Sequence, residues 1–222
     1  MNNRSTCPTL RVTKVLEVSI VLYLASLCFL LVSRWQALSS GSELGLGMET
    51  SLSILLLRCV YWIVVLFLVA RLARANRALE AQGLAFSPRM AVLSYFMPVL
   101  NFFMPYLAMQ EAWQVSNPHS SETDWKSTGG SGLVKAWWGL NLTGIAIGLY
   151  AMIYEIGAGL NPDSPSANSD TLLQLDIATD LMAGITALLM LGIAKTVSNR
   201  YQAKWDLRFG PKSVPTAKVQ DL

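Results

Sequence analysis

"YFMPVLNFFMPY", residues 95–106, carries Phe-Met-Pro twice, at Phe96–Pro98 and Phe103–Pro105. It sits in an apolar run, Met90–Met109, that is long enough to cross a bilayer. Whether this run crosses decides the topology of everything after it.

The surroundings set the class. The chain has 222 residues, 53% of them hydrophobic and 14% charged, with a mean hydropathy of +0.41. Soluble domains carry about 25% charged residues, so the composition is that of an integral membrane protein. Four further runs approach the ~20 residues a helix needs to cross a ~30 Å core: 15–32, 51–70, 133–155 and 171–194. The fold class that follows is all-α, a four-span helical bundle. Residues 1–14 form an N-terminal tail, 33–50 and an acidic 156–170 form loops on one side, and 195–222 form a basic tail. Arg4, Arg11 and Lys14 followed by "ALS" at 37–39 would also suit a cleaved signal peptide. Val15–Val32, however, exceeds the usual ~7–15-residue hydrophobic region, and it reads as a retained first span.

The distribution of lysine and arginine settles the double-proline run. With the N-terminus cytoplasmic and 90–109 not crossing, Lys14, Arg71, Arg74, Arg77, Arg89, Lys126, Lys135, Lys195, Arg200, Lys204 and Arg208 all fall inside, and Arg34 alone falls outside. If 90–109 crosses, Lys126, Lys135 and the basic tail move outside. The positive-inside rule favours the first arrangement: a multi-pass protein with both termini cytoplasmic. Residues 71–89 then read as a cytoplasmic helix and turn stopped at Gly83, and 114–132 as a flexible polar cytoplasmic loop. Pro98 and Pro105 each remove a donor and clash with the carbonyl four residues back, on Ser94 and Asn101. The expectation is a kinked re-entrant or interface-lying element over 90–113 between spans 2 and 3. An ordinary proline-kinked span is the alternative.

On the stretch "ANRALEAQGLAFSPRMAVLSYFMPVLNFFMPYLAMQEAW" the chain resembles a bacterial membrane family, domain of unknown function 4328. The matching positions include Asn76, Gly83, Pro88, Pro98, Asn101, Pro105, Glu111 and Trp113, and the Trp137-Trp138 pair is also family-like. The resemblance covers roughly residues 52–205. It implies a bacterial cytoplasmic-membrane protein with about four spans and brings no established activity.

Ionisable residues inside spans are costly unless paired and mark functional sites by default. Counted from the ends of the apolar runs, Arg58 is ~10 Å deep, and Asp176 and Asp180 are ~8 and ~13 Å deep, at 1.5 Å per residue. The aspartates are four apart and share a face. The expected cluster is Arg58 with one or both aspartates, joined by Glu155 at the outer end of the third span. Gly144 and Gly148 form a GxxxG on that span, and Ala183 and Ala187 continue the small face of the fourth. Such residues let helix backbones approach, so spans 3 and 4 should pack there. Trp137, Trp138, Tyr201 and Trp205 read as interfacial anchors, and Lys195, Arg200, Lys204 and Arg208 as a basic face on anionic lipid. Glu111 reads as a cap on the exit of the double-proline element.

Some classes are excluded from the expectation. Basic residues make no separate patch for nucleic acid. Three cysteines without CxxC and one histidine, His119, argue against metal or cofactor. No catalytic motif is present. Two readings follow. The first is a non-enzymatic accessory or scaffold subunit that associates with lipid, a membrane-protein partner or its own copies. The second is a small oligomeric ion- or proton-coupled carrier or channel using the intramembrane Arg and Asp residues.

Overall fold

The computed structural model describes residues 9–40, 48–160 and 169–209. The predicted N-terminal tail up to residue 8, parts of the predicted loops 33–50 and 156–170 and the tail beyond 209 lie outside the described residues. Within them every regular element is helical: α1 (Thr9–Ser40), α2 (Met48–Ala78), α3 (Pro88–Leu93), α4 (Met104–Val115), α5 (Gly132–Leu160) and α6 (Ser169–Phe209). α1, α2, α5 and α6 are long and apolar enough to cross a membrane, as expected of a multi-pass protein. Each outruns its apolar sequence run. Helix continues into the flanks, in α5 even through Gly157.

The long helices alternate in direction and pack in a row, α2 on α1, α1 on α6, α6 on α5. α2 and α5 barely touch, so the row is an open arc and not a closed bundle. The core runs along the seams, through Leu16, Ile20 and Leu27 of α1, Val65, Leu68 and Leu72 of α2, and Ala187, Met190, Ile193 and Val197 of α6. Gly184 of α6 faces Leu24 and Leu27 of α1, at 3.7 Å from where a Cβ would stand. α5 is the least covered, with 11% of its apolar window buried.

The double-proline segment is not one helix. Ser87 caps α3 by accepting the Met90 amide at 3.1 Å, and Pro88 opens it. α3 ends at Leu93, where the Ser94 hydroxyl donates back to Ala91 O. A 3-10 turn, Leu100–Phe102, leads into α4, which Pro105 opens. The expected double kink is therefore corrected. Pro98 lies in an exposed turn and Pro105 in the first turn of α4, where its missing donor costs nothing, so neither bends a helix.

α3 and α4 form a hairpin against the end of the arc where α2 and α6 finish and α5 begins. The loop 116–131, expected to be flexible, is pinned there. Gln110 bonds both backbone groups of Ser131, at 2.8 and 3.0 Å, and Gln114 donates to Thr128 O. Trp125 is buried and donates to Gln82 O at 2.8 Å.

Candidate functional site

Two polar constellations occupy opposite ends of the arc. The first is an ion network. α6 brings Asp176 and Asp180 one turn apart, α1 brings Arg34 and α2 brings Arg58. Asp180 is 3% exposed and is gripped from both sides: Arg34 Nη1 lies 2.6 Å from Oδ2, and Arg58 Nη2 lies 2.5 Å from Oδ1. Arg34 Nη2 also reaches Asp176 at 3.1 Å, whose side chain is 53% exposed. Nothing else hydrogen-bonds Arg58 among the described residues, and its Nε is buried without a partner.

Arg58 and Asp180 therefore meet, while the expected membership differs at two places. Arg34 is the arginine that touches both aspartates. Counting the first span as ending at Val32 hid it. The available signal was that "SRWQALSS" holds no helix breaker, so α1 carries Arg34 onward to the level of α6's aspartates. Glu155 does not join: it is exposed on α5 and pairs with none of the described basic residues. The depths also shift. Lys195 pairs with Glu17 at 3.2 Å, marking a second charged layer. Fifteen residues of α6 separate Lys195 from Asp180, and seventeen of α1 separate Glu17 from Arg34. At 1.5 Å per residue the two layers are about 23–26 Å apart.

Beside the network lies a cavity of about 240 Å³. Arg58, Tyr61 and Trp62 of α2 form one wall, Asn141, Gly144 and Ile145 of α5 the other, and Thr179, Asp180 and Ala183 of α6 the floor. Tyr61 is held by stacking on Tyr23 of α1, with ring centroids 4.6 Å apart. The cavity exists because α2 and α5 stay apart. Of the expected small-residue contacts, Gly144 meets Met182 and Ala187 is fully buried. Gly148 approaches nothing, and α5 packs on α6 without it.

The second constellation joins the hairpin to the arc. The Tyr201 hydroxyl of α6 donates to Asn76 Oδ1 of α2 and sits 3.4 Å from Ala112 O of α4. Glu111 is buried and accepts the Ala85 amide at 2.7 Å, together with the Phe86 amide and the Asn76 side chain. It ties α4 to the α2–α3 turn, which corrects its expected role as a cap; Ser116 caps α4. Burial pushes the Glu111 carboxyl above its ordinary value, and those three hydrogen bonds oppose the push. Gly83 turns with φ +67, a region that disfavours side chains, with Lys126 Nζ 3.1 Å from where a Cβ would be.

The expected anchors also belong to this joint. Trp137, Trp138 and Tyr201 are buried, and Trp138 donates to Phe102 O at 3.0 Å. Lys204 donates to Val115 O and Ser120 Oγ, both at 2.8 Å. Arg208 pairs with Glu80 and Glu122, and Arg200 lies over the Trp113 ring at 4.1 Å. The basic face that suggested lipid contact is thus largely spent on the hairpin and its loop. Asn101 lies in the 3-10 turn, its amide donating to Met97 O. Most of the motif positions therefore build turns and joints and do not converge on a reacting centre.

No curated protein and no solved structure gives a significant match to the chain. The model of one family, domain of unknown function (DUF4328), matches residues 40–199, from the end of α1 to the last turns of α6. The chain belongs to the DUF4328 family.

Proposed function

We propose that this is a non-enzymatic accessory protein of the bacterial cytoplasmic membrane, acting by association with lipid and neighbouring helices. The observation that carries this reading is the open arc. α2 and α5 are the ends of a packed row and leave a lateral gap between them, which in a bilayer must be filled by lipid or by another chain. The ion network supports association over transport, because both oxygens of Asp180, its buried carboxylate, are held by arginines.

Orientation rests on charge. Lys14, Arg74, Arg77, Arg89, Lys126, Lys135, Lys195 and the basic end of α6 lie at the hairpin end of the arc, whereas Arg34 and Arg58 at the other end are neutralised. The positive-inside rule makes the hairpin end cytoplasmic, with both termini. A re-entrant hairpin is supported by its register. Ala112 of α4 is level with Asn76, so Met104 lies ~12 Å further toward the arc's middle at 1.5 Å per residue. Phe102 O accepts from Trp138, seven residues into α5 beyond the Ser131 that Gln110 holds, ~10 Å deeper at 1.5 Å per residue. The tip exposes Phe96 (68%), Val99 (73%) and Phe103 (64%), a surface suited to hydrocarbon.

A carrier is the second reading, favoured by the cavity beside Asp180. Purification in native-lipid particles with mass spectrometry separates the readings. A lipid or protein retained in fixed stoichiometry is the expected result; a monodisperse particle free of both would overturn the association reading.

A further inference from the structure

The cavity at the ion network has the chemistry of a specific site, and this inference rests on the association reading. Asp180 is shared between Arg34 and Arg58, and Asp176 adds a second carboxylate to Arg34, so the four charges balance. Asp176, the other acid, is half-exposed and touches only Arg34. The pairing is nonetheless uneven, because Arg34 has both carboxylates and Arg58 has one oxygen of Asp180. The group that faces the cavity with donors to spare is Arg58. A guanidinium has five N–H donors, Asp180 engages one corner of it, and its side chain is 38% exposed. The open N–H edge of Arg58 therefore calls for a hydrogen-bond acceptor, and an anionic one complements the guanidinium.

Size and depth narrow the ligand. Sites for whole drug-sized molecules run to ~300–1,000 Å³, so about 240 Å³ suits a headgroup with the rest of the molecule outside. Below Arg58 the walls turn apolar, with Trp62 (43% exposed) on α2 and Ile145 (37%) on α5 flanking the lateral gap. From the Lys195 layer, Asp180 is ~23 Å up a ~30 Å core. That is the outer quarter, within an arginine side chain's reach of the outer headgroups. We propose that the cavity binds the anionic head of an amphiphile, a phosphate or carboxylate on an acyl chain, with Arg58 as its electrostatic anchor and the chain lying in the α2–α5 gap against Trp62.

The test uses the full chain in nanodiscs of phosphatidylcholine and reads tryptophan quenching by brominated acyl chains. The Trp62→Phe protein supplies the background of the other six tryptophans. The Trp62-dependent emission should be quenched at about tenfold lower mole fraction by brominated phosphatidylglycerol or brominated stearate than by brominated phosphatidylcholine. Whichever anionic compound gives the preference identifies phosphate or carboxylate as the head. Arg58→Gln should abolish the preference. Gly144→Val should do so as well by crowding the cavity beside the headgroup; a Cβ there meets only Met182 Cβ, at an ordinary 3.8 Å. Equal quenching by anionic and zwitterionic lipid would overturn the site, as would a preference that survives in Gly144→Val protein of unchanged melting temperature. Neither result touches the association reading, whose measure is retained stoichiometric lipid or protein of any class.

Discussion

Replacing Asp180 by asparagine should be the most damaging single change at the ion network. The carboxylate is 3% exposed and accepts from Arg34 at 2.6 Å and Arg58 at 2.5 Å. Its loss leaves two guanidinium groups in the arc with only Asp176 nearby. Removing one partner of a buried pair costs about 3–5 kcal/mol. Because Arg58 is 38% exposed and can recruit water, we expect about 3 kcal/mol. Arg58→Met should cost less, about 1 kcal/mol, since Asp180 keeps Arg34 and the lost bond is one charge-assisted hydrogen bond partly replaced by water. Arg34→Met should fall between, because Arg34 is only 15% exposed and serves both aspartates. The assay is unfolding by sodium dodecyl sulfate in mixed micelles, followed by far-ultraviolet circular dichroism. The order Asp180 > Arg34 > Arg58 is the signature of a shared carboxylate. An Arg58→Met cost equal to or above that of Asp180→Asn would refute it and leave a simple Arg58–Asp180 pair.

Three further outcomes concern the hairpin joint. Tyr201→Phe removes the hydroxyl that donates to Asn76 and should cost about 1 kcal/mol, read as a fall of a few degrees in melting temperature. Gly83→Ala forces a side chain to φ +67 and against Lys126 Nζ, and should cost about 1–2 kcal/mol, with faster hydrogen exchange in residues 79–87. Burial raises the Glu111 carboxyl above its ordinary value, so the folded state binds more protons than the unfolded one. Stability then falls as pH rises through 4.5 toward the raised value, and Glu111→Gln should flatten that slope in the same denaturation assay.

The helices were legible because length and hydropathy dictate them: the four apolar runs lie within α1, α2, α5 and α6. Their order in space was not, because an open row and a closed bundle share the same apolar patterns in chain order. The sequence states what proline forbids but not where a helix starts, so Pro98 and Pro105 suggest kinks, whereas Pro98 sits in an exposed turn and Pro105 in the first turn of α4. Trp137, Trp138 and Tyr201 looked like anchors because an aromatic with a polar tip suits both an interface and a buried donor site. The acceptors at Phe102 O and Asn76 that decide the matter are distant in sequence. At the ion network Arg58, Asp176 and Asp180 stood out as charges in apolar runs. Arg34 did not, because it falls two residues beyond the run that α1 extends.

The central claim is that the chain makes four crossings and that the double-proline hairpin is not one of them. Site-specific labelling tests it most directly. With Cys7, Cys28 and Cys59 replaced by alanine, single cysteines are placed at Gln36, past the ion network on α1, and at Thr123, in the loop after α4. Both positions are exposed. An impermeant maleimide applied to intact cells should label Gln36→Cys and spare Thr123→Cys, which reacts only after the membrane is opened. Labelling of both positions from the same side would mean that the hairpin crosses, and the account of the fold in the membrane would fail with it.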